Sequence, residues 1–191
     1  MLGNPFTRRG DPYLLAVSMT GVKMGDRVVF VGCAHGGRLA AVAARVGLSG
    51  RAVAVVPDER SAALARKGAE QAGVLVEIEL APPARMPLDD DGADLVVVDD
   101  TSGLIGNMPA SERPAAIREM ARVLRPGGRV VLLGAVPPSG LARVMTRATP
   151  APPFATSAEA HAVLAANGFN LVRTLAERDG LAFVEGIKPR T

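Results

Sequence analysis

The 191-residue sequence predicts a single α/β domain, with a mostly parallel seven-stranded sheet, helices on both faces and a C-terminal antiparallel hairpin. Short apolar runs typical of buried strands alternate with helical patterns, an order that produces parallel strands joined by right-handed crossovers. The last two apolar runs are separated by Arg178-Asp179-Gly180, and Asp-Gly in that position is a strong hairpin signal. A chain of this length holds one full core rather than two ordinary domains, so we assign residues 1–191 to one domain.

The first half of the chain contains four apolar runs that predict strands, at residues 27–32, 52–56, 74–80 and 93–99. Two helices lie between them, an alanine-rich one at residues 36–46 and a second at 58–72. Asp58 is a suitable N-cap for the second helix, and Gly73 follows its last residue. A proline-rich, acidic loop then leads to the fourth strand.

The second half begins with a helix for which Ser111 is the expected cap and Pro114 lies in the first turn. Pro126-Gly127-Gly128 breaks the chain before a run that is expected to be covered on both faces. The predicted elements are helices at residues 111–124, 141–148 and 156–168, the last opened by Thr156 and Ser157, and strands at 129–134, 171–176 and 181–187. We interpret residues 137–153, which are rich in proline, as an insertion or lid, and residues 1–25 as an N-terminal cap segment.

Composition excludes several classes of protein. Hydrophobic residues make up 48% of the chain and aromatic residues 3%, so alanine, valine and leucine must form the core. No apolar run is long enough for a membrane span, and the first residues lack the apolar centre of a secretion signal. The single cysteine precludes an internal disulfide and favours a cytoplasmic location. The net charge is +3 with scattered arginines, which argues against nucleic-acid binding.

Two motifs carry a family resemblance. The first is REMARVLRPGGRVVLLG at residues 118–134, and the second is the glycine loop VGCAHGG at residues 31–37, which follows the first predicted strand. Both resemble segments of class I S-adenosylmethionine-dependent methyltransferases, and the resemblance extends over residues 26–189. In an open parallel sheet, ligands bind at the carboxyl ends of the strands, where this glycine loop is expected to lie.

The resemblance implies S-adenosylmethionine as cofactor. The residues that it places around the cofactor are Gly32, Cys33, Ala34, His35, Gly36, Val56, Asp58, Arg85, Met86 and Asp99. The sequence departs from the family at three acidic positions, which Phe30, Val56 and Pro82 occupy, and Ala34 replaces the middle glycine. Loss of the ribose carboxylate alone is expected to weaken binding about tenfold to a hundredfold, unless Asp58 reaches the ribose instead.

Asp99 and Asp100 are the catalytic candidates, because they follow the fourth strand, where methyltransferases often place groups that meet the methyl acceptor. A carboxylate there can take a proton from an attacking oxygen or nitrogen. The alternative is a solvated strand end that caps the next turn. Paired carboxylates can also hold a divalent cation, but no histidine or third acid is evident nearby, so we predict no metal site.

Three residues near the glycine loop have both a functional and a structural interpretation. Cys33 is either a reactive thiol or a small wall residue, and the second is the better expectation. His35 is either a base or an ordinary turn residue. Tyr13, the only tyrosine, is a lid contact or a packing residue. The segments at residues 6–19 and 137–153 are expected to cover the substrate.

These observations predict S-adenosylmethionine-dependent methyl transfer to a small molecule, through an atypical cofactor pocket. Methyl transfer is an in-line displacement that relies on positioning, so a chemically sparse site is compatible with it. The alternative is a catalytically inactive protein of the same fold, which serves as a subunit, scaffold or binding module and has a protein partner or a second copy of itself. No nucleophile elbow, P-loop or zinc-ligand spacing is present in the sequence.

Overall fold

The computed structural model describes residues 13–136, 154 and 158–190. The elements in chain order are α1 (Leu14–Thr20), β1 (Arg27–Val31), α2 (Gly36–Val46), β2 (Arg51–Val56), α3 (Glu59–Ala72), β3 (Glu77–Leu80), β4 (Ala93–Asp99), α4 (Arg113–Val123), β5 (Leu124–Ala135), α5 (Ala158–Ala166), β6 (Asn170–Arg178) and β7 (Leu181–Ile187). The predicted insertion at residues 137–153, its short helix, and the helix start at Thr156 and Ser157 lie outside the described residues.

The strands form one seven-stranded sheet in the order β3-β2-β1-β4-β5-β7-β6. Strands β1 to β5 run parallel, and β7 is antiparallel to both β5 and β6. The predicted fold class is therefore confirmed. The strand order reverses between β1 and β4, so the carboxyl ends of these two strands frame the point where ligands bind in open α/β sheets.

The core has two layers because side chains of a strand alternate between the two faces of the sheet. Val28 and Phe30 of β1 lie on the face covered by α1, α2 and α3, whereas Val29 and Val31 lie on the face covered by α4 and α5. The first layer also contains Leu39 of α2, and the second contains Ile117 of α4. Both faces of the central strands are buried, which explains their nearly continuous apolar sequences.

Strand β5 begins earlier than predicted, at Leu124 rather than at residue 129. Leu124 pairs with Ala93, and the next pair joins Arg129 to Leu95, so the residues between form a bulge within the strand. The Gly127 N–H donates to the Lys188 carbonyl at 3.0 Å. The Pro-Gly-Gly segment therefore keeps contact with the chain after β7 and is not an independent turn.

Three other elements differ from the prediction. Helix α4 begins at Arg113, with Glu112 at its N-cap and no side-chain hydrogen bond there, so the expected cap at Ser111 is wrong. Strand β3 begins at Glu77 rather than at Val74, because the Val74 N–H still bonds to the Ala69 carbonyl at the end of α3. Helix α1 was not predicted. It is only seven residues long and has no side-chain hydrogen bond at its N-cap, so local signals are weak.

The C-terminal hairpin agrees with its sequence signal. Asp179 has φ 54° and Gly180 has φ 75°, the paired positive values that a type I′ turn requires. In the part of the chain that the structure describes, no helix combines the length and the apolar character needed to cross a membrane.

Candidate functional site

The glycine loop after β1 contacts the loop after β4 at the switch point of the sheet. Gly32 has φ 80° and donates its N–H to the Val55 carbonyl at 2.8 Å. A Cβ at this residue would lie 2.6 Å from Leu104 Cδ2 and 3.3 Å from the Asp99 carbonyl oxygen. Glycine is needed here because the second loop approaches so closely.

Asp99 joins three segments of the site. Its Oδ1 accepts hydrogen bonds from Arg38 Nη1 at 2.9 Å and from the Thr101 hydroxyl at 2.6 Å, and its Oδ2 accepts one from the Ala34 N–H at 3.2 Å. The side chains of Arg38 and Asp99 are only 15% and 11% exposed. This mostly buried ion pair connects the glycine loop and α2 to the end of β4.

Arg38 is a site residue that the sequence analysis missed. The sequence did contain an indication of it. Arg38 lies in the first turn of α2, where a cation is unfavourable beside the positive end of the helix dipole unless a carboxylate lies nearby. The identity of that carboxylate was not readable, since Asp99 lies 61 residues further along the chain.

Asp100 shapes the loop after β4 from inside the protein. It is fully buried, and its Oδ1 accepts hydrogen bonds from the N–H groups of Ile105 at 2.6 Å and Gly106 at 3.0 Å. Its Oδ2 has no hydrogen-bond partner among the described residues. Burial raises the pKa of the Asp100 carboxyl to about 6, the charge of Asp99 adds to this, and the two N–H bonds and Arg113 oppose it.

Arg113 holds the same loop from the other side. Its Nη2 donates to the Gly106 carbonyl at 2.7 Å and its Nε to the Met108 carbonyl at 3.0 Å. Arg113 also pairs with Glu159 of α5 and lies 5.4 Å from the centre of the Phe154 ring. Asp100 and Arg113 together hold the loop in which Leu104 packs against Gly32.

Cys33, His35 and Tyr13 surround the start of α2. Cys33 is buried, and desolvation raises the pKa of its thiol to about 11, so the thiol stays protonated at neutral pH, as a wall residue would. His35 is exposed, and its Nδ1 lies 3.4 Å from the Tyr13 hydroxyl. A Cβ at Gly37 would lie 2.5 Å from that hydroxyl, so Tyr13 covers the beginning of the helix.

Gly36 is explained by helix packing. A Cβ at Gly36 would lie 2.1 Å from the Leu64 carbonyl oxygen of α3 and 3.2 Å from the Gly68 Cα. The close crossing of α2 and α3 therefore requires a glycine at this position, whether or not a ligand approaches its other side.

The remaining predicted site residues lie around β2 and the loop after β3. Val56 is fully buried, and its carbonyl accepts from the Ala81 N–H at 3.0 Å. Asp58 accepts a hydrogen bond from the Ser61 N–H at 2.8 Å, which caps α3 and lowers the pKa of its carboxyl. Met86 is buried, and its N–H donates to Glu119 of α4 at 2.7 Å, whereas Arg85 is exposed.

The comparisons with known proteins identify the family. A family described as a methyltransferase domain matches residues 28–128, which is more than half of the chain. The chain belongs to the methyltransferase domain family. The family predicted from the two sequence motifs is thus confirmed.

Named relatives of this methyltransferase domain are distant. The ubiquinone/menaquinone biosynthesis C-methyltransferase UbiE of Pseudomonas putida is 29% identical over 141 residues, which are 73% of this chain and 52% of that protein. The chain thus spans about half the length of the curated relatives it matches.

Solved structures share the fold. A SAM-dependent methyltransferase from Aquifex aeolicus superposes with a TM-score of 0.71 at 19% identity, covering 92% of this chain and 89% of that one. The [4+2]-cyclase SpnF superposes with a TM-score of 0.69 at 18% identity, covering 94% and 80%. At these identities the likeness concerns the fold alone.

The residues of this methyltransferase domain fit one end of S-adenosylmethionine better than the other. Arg38 and Asp99 carry opposite charges beside the glycine loop, which suits the carboxylate and ammonium of the cofactor's amino-acid end. At the nucleoside end, Val56 is a buried core residue and Asp58 caps a helix. A small internal cavity of about 10 Å³ borders Phe30, Gly32 and Asp99.

The described residues contain no cluster of side chains that could bind a metal ion, at this site or elsewhere. No three or more histidine, cysteine, aspartate or glutamate side chains lie close enough together there to hold a metal ion.

Proposed function

We propose that this methyltransferase domain binds S-adenosylmethionine at the glycine loop and catalyses methyl transfer to a small molecule. The observation that carries the proposal is the Arg38–Asp99 pair, 2.9 Å apart, beside Gly32 at the switch point. Membership of the family supports it, since residues 28–128 match a methyltransferase domain. When bound, the cofactor supplies the methyl group from its sulfonium.

The chain's own residues have separate roles in this proposal. Arg38 binds the carboxylate of the amino-acid end, and Asp99 binds its ammonium group. Gly32 lets the backbone approach the ligand, and Leu104 excludes water from that side. The distant relative UbiE is named for C-methylation in quinone biosynthesis, which supports a small-molecule acceptor without identifying it.

The affinity should be weaker than is usual for such a cofactor. Val56 and Pro82 leave the ribose and adenine without their usual acidic partners. A hydrogen bond to a charged group contributes about 1.5–3 kcal/mol, so one such loss weakens binding about tenfold to a hundredfold.

Calorimetric titration with S-adenosylmethionine and S-adenosylhomocysteine tests the proposal. We expect heats from both ligands in the parent chain and their loss in Arg38→Met. The control is Arg66→Met, because Arg66 is an exposed arginine on a different helix, α3. Equal heats from the two variants would contradict the assignment of Arg38.

A second candidate function is a binding or scaffold domain that has kept the fold and lost methyl transfer. The burial of Phe30 and Val56 favours it. SpnF, which has this fold, is named for a cyclisation. The absence of heat from either ligand at millimolar concentration, in a chain that is folded by circular dichroism, would favour this second function.

A further inference from the structure

The loop that follows β4 is held against the glycine loop by a buried acid. We call residues 101–108 the β4 loop. It carries Leu104, and this side chain occupies the space beside Gly32. The Oδ1 atom of Asp100 accepts hydrogen bonds from two N–H groups of the β4 loop, at 2.6 and 3.0 Å, and so connects the loop to the end of the strand. The position of Leu104 therefore depends on this carboxyl group.

The second oxygen of the same carboxyl group has no matching donor. Asp100 is 0% exposed, and its Oδ2 has no hydrogen-bond partner among the described residues. If the acid is protonated, Oδ2 carries a neutral O–H group. If the acid is ionised, the same oxygen is the unpaired end of a buried charge, which costs far more. The geometry of the closed loop thus favours the protonated acid.

The charged side chains that act on this carboxyl are Asp99 of β4 and Arg113 of α4. Burial has the largest influence and raises the pKa of the Asp100 carboxyl to about 6, Asp99 raises it further, and Arg113 opposes both. Arg113 also bonds to two carbonyls of the β4 loop and pairs with Glu159 of α5. The β4 loop itself has no ionisable side chain, and Leu133, whose carbonyl accepts from the Asp100 N–H, is apolar.

We propose that the β4 loop is a pH-sensitive cover of the glycine loop, in which loss of the Asp100 proton loosens the loop and withdraws Leu104 from Gly32. In the closed loop the carboxyl has a pKa of about 6, whereas in the open loop water solvates it and it ionises at its ordinary value of 3.8. The closed loop therefore loses stability as the pH rises between these two values, and the loss levels off above them.

The size of the effect follows from the same two values. Between pH 5 and pH 7.5 the equilibrium constant for opening should rise about tenfold, and above pH 7 it should hardly change. The motion belongs to the free chain. Its consequence for a ligand, easier access to the backbone at Gly32, rests on the proposed function, but the motion does not. The two can therefore fail separately.

Hydrogen exchange of the Ile105 and Gly106 amides tests the proposal, because these amides exchange when their bonds to Asp100 open. We would measure it by NMR on the full chain between pH 5 and pH 7.5 and correct for the intrinsic exchange rate. Protection of both amides should fall about tenfold in the parent chain. In Asp100→Asn it should not change with pH, because asparagine accepts the same bonds and never ionises. Amides of the central strand β1 report global unfolding and are the reference.

Asp89→Asn is the matched control, because Asp89 is an exposed acid outside the β4 loop, and this variant should keep the tenfold change. Histidines ordinarily ionise in the same pH range. His35 lies beside Tyr13 and His161 bonds to Thr174, and both histidines remain in Asp100→Asn, so this variant separates their effect from that of the acid.

Three results would overturn the proposal. The first is loop protection that does not depend on pH in the parent chain. The second is a pH dependence that persists in Asp100→Asn. The third is a change that the β1 amides share in full, since the opening would then be global. The first and third need only the parent chain, so they decide the question even if Asp100→Asn does not fold.

Discussion

Replacing Asp100 by asparagine isolates the cost of a buried carboxylate. The carboxyl of Asp100 has its pKa raised from 3.8 to about 6, chiefly by burial. Asparagine keeps an oxygen to accept from the Ile105 and Gly106 N–H groups and never ionises. Its amide N–H takes the position of Oδ2, which carries the O–H donor when the aspartic acid is protonated.

The magnitude follows from proton linkage. The unfolded carboxyl ionises near 3.8, whereas the folded one holds its proton until about pH 6, so the folded protein loses stability as the pH rises between these values. The complete loss corresponds to about 3 kcal/mol of unfolding free energy. Between pH 4.5 and 7.5 about 2 kcal/mol of it is observable, because part is already lost below pH 4.5.

The assay is urea unfolding, followed by circular dichroism at several pH values, for the parent and Asp100→Asn. The stability of Asp100→Asn relative to the parent should rise by about 2 kcal/mol from pH 4.5 to 7.5. Asp89→Asn, at an exposed loop position, is the control and should show no such trend. A stability difference that stays constant over this pH range would refute the assignment of a buried, ionising Asp100.

Three further predictions test contacts elsewhere in the fold. Gly32→Ala should lower the unfolding free energy by about 1–3 kcal/mol, because Gly32 has a positive φ and its added Cβ would meet Leu104. Combining Gly32→Ala with Leu104→Ala should relieve that contact, so thermal melts should show a smaller cost of Gly32→Ala in the Leu104→Ala background. Glu185→Ala should cost about 1–3 kcal/mol in urea unfolding, because it removes the buried carboxylate that pairs with Arg129 and Arg173, although Arg129 keeps the Thr20 and Gly21 carbonyls as acceptors. Asp58→Ala should destabilise α3 above pH 4, because it removes the N-cap carboxylate. The stability difference between parent and variant should vanish as acid protonates the Asp58 carboxyl of the parent, and circular dichroism over an acid titration would measure it.

Elements whose signals are local could be predicted from the sequence. The cap at Asp58 depends on a residue three positions away, and the hairpin depends on Asp179 and Gly180 themselves. The alternation of strands and helices likewise needed no long-range information. The early start of β5 could not be predicted, because it depends on pairing with Ala93 and on the chain after β7.

The candidate site was predictable in location but not in its internal bonding. The glycine loop and Asp99 were expected at one edge of the sheet, and the structure brings them together. Which cation would meet Asp99 was not expected, since several arginines are compatible with the sequence. Nor could the sequence indicate that Asp100, adjacent to Asp99, would be turned inward to hold the next loop.

The Arg38–Asp99 ion pair competes with any charged ligand that binds between these two side chains. In the free protein each charge already has its partner at 2.9 Å, and Thr101 and the Ala34 N–H complete the carboxylate. A zwitterionic ligand that inserts there gains two ion pairs but breaks the existing one. The net gain is thus much smaller than the sum of the new contacts. Since Val56 and Pro82 add no charged contact at the nucleoside end, this balance predicts weak binding whose strength depends on Arg38.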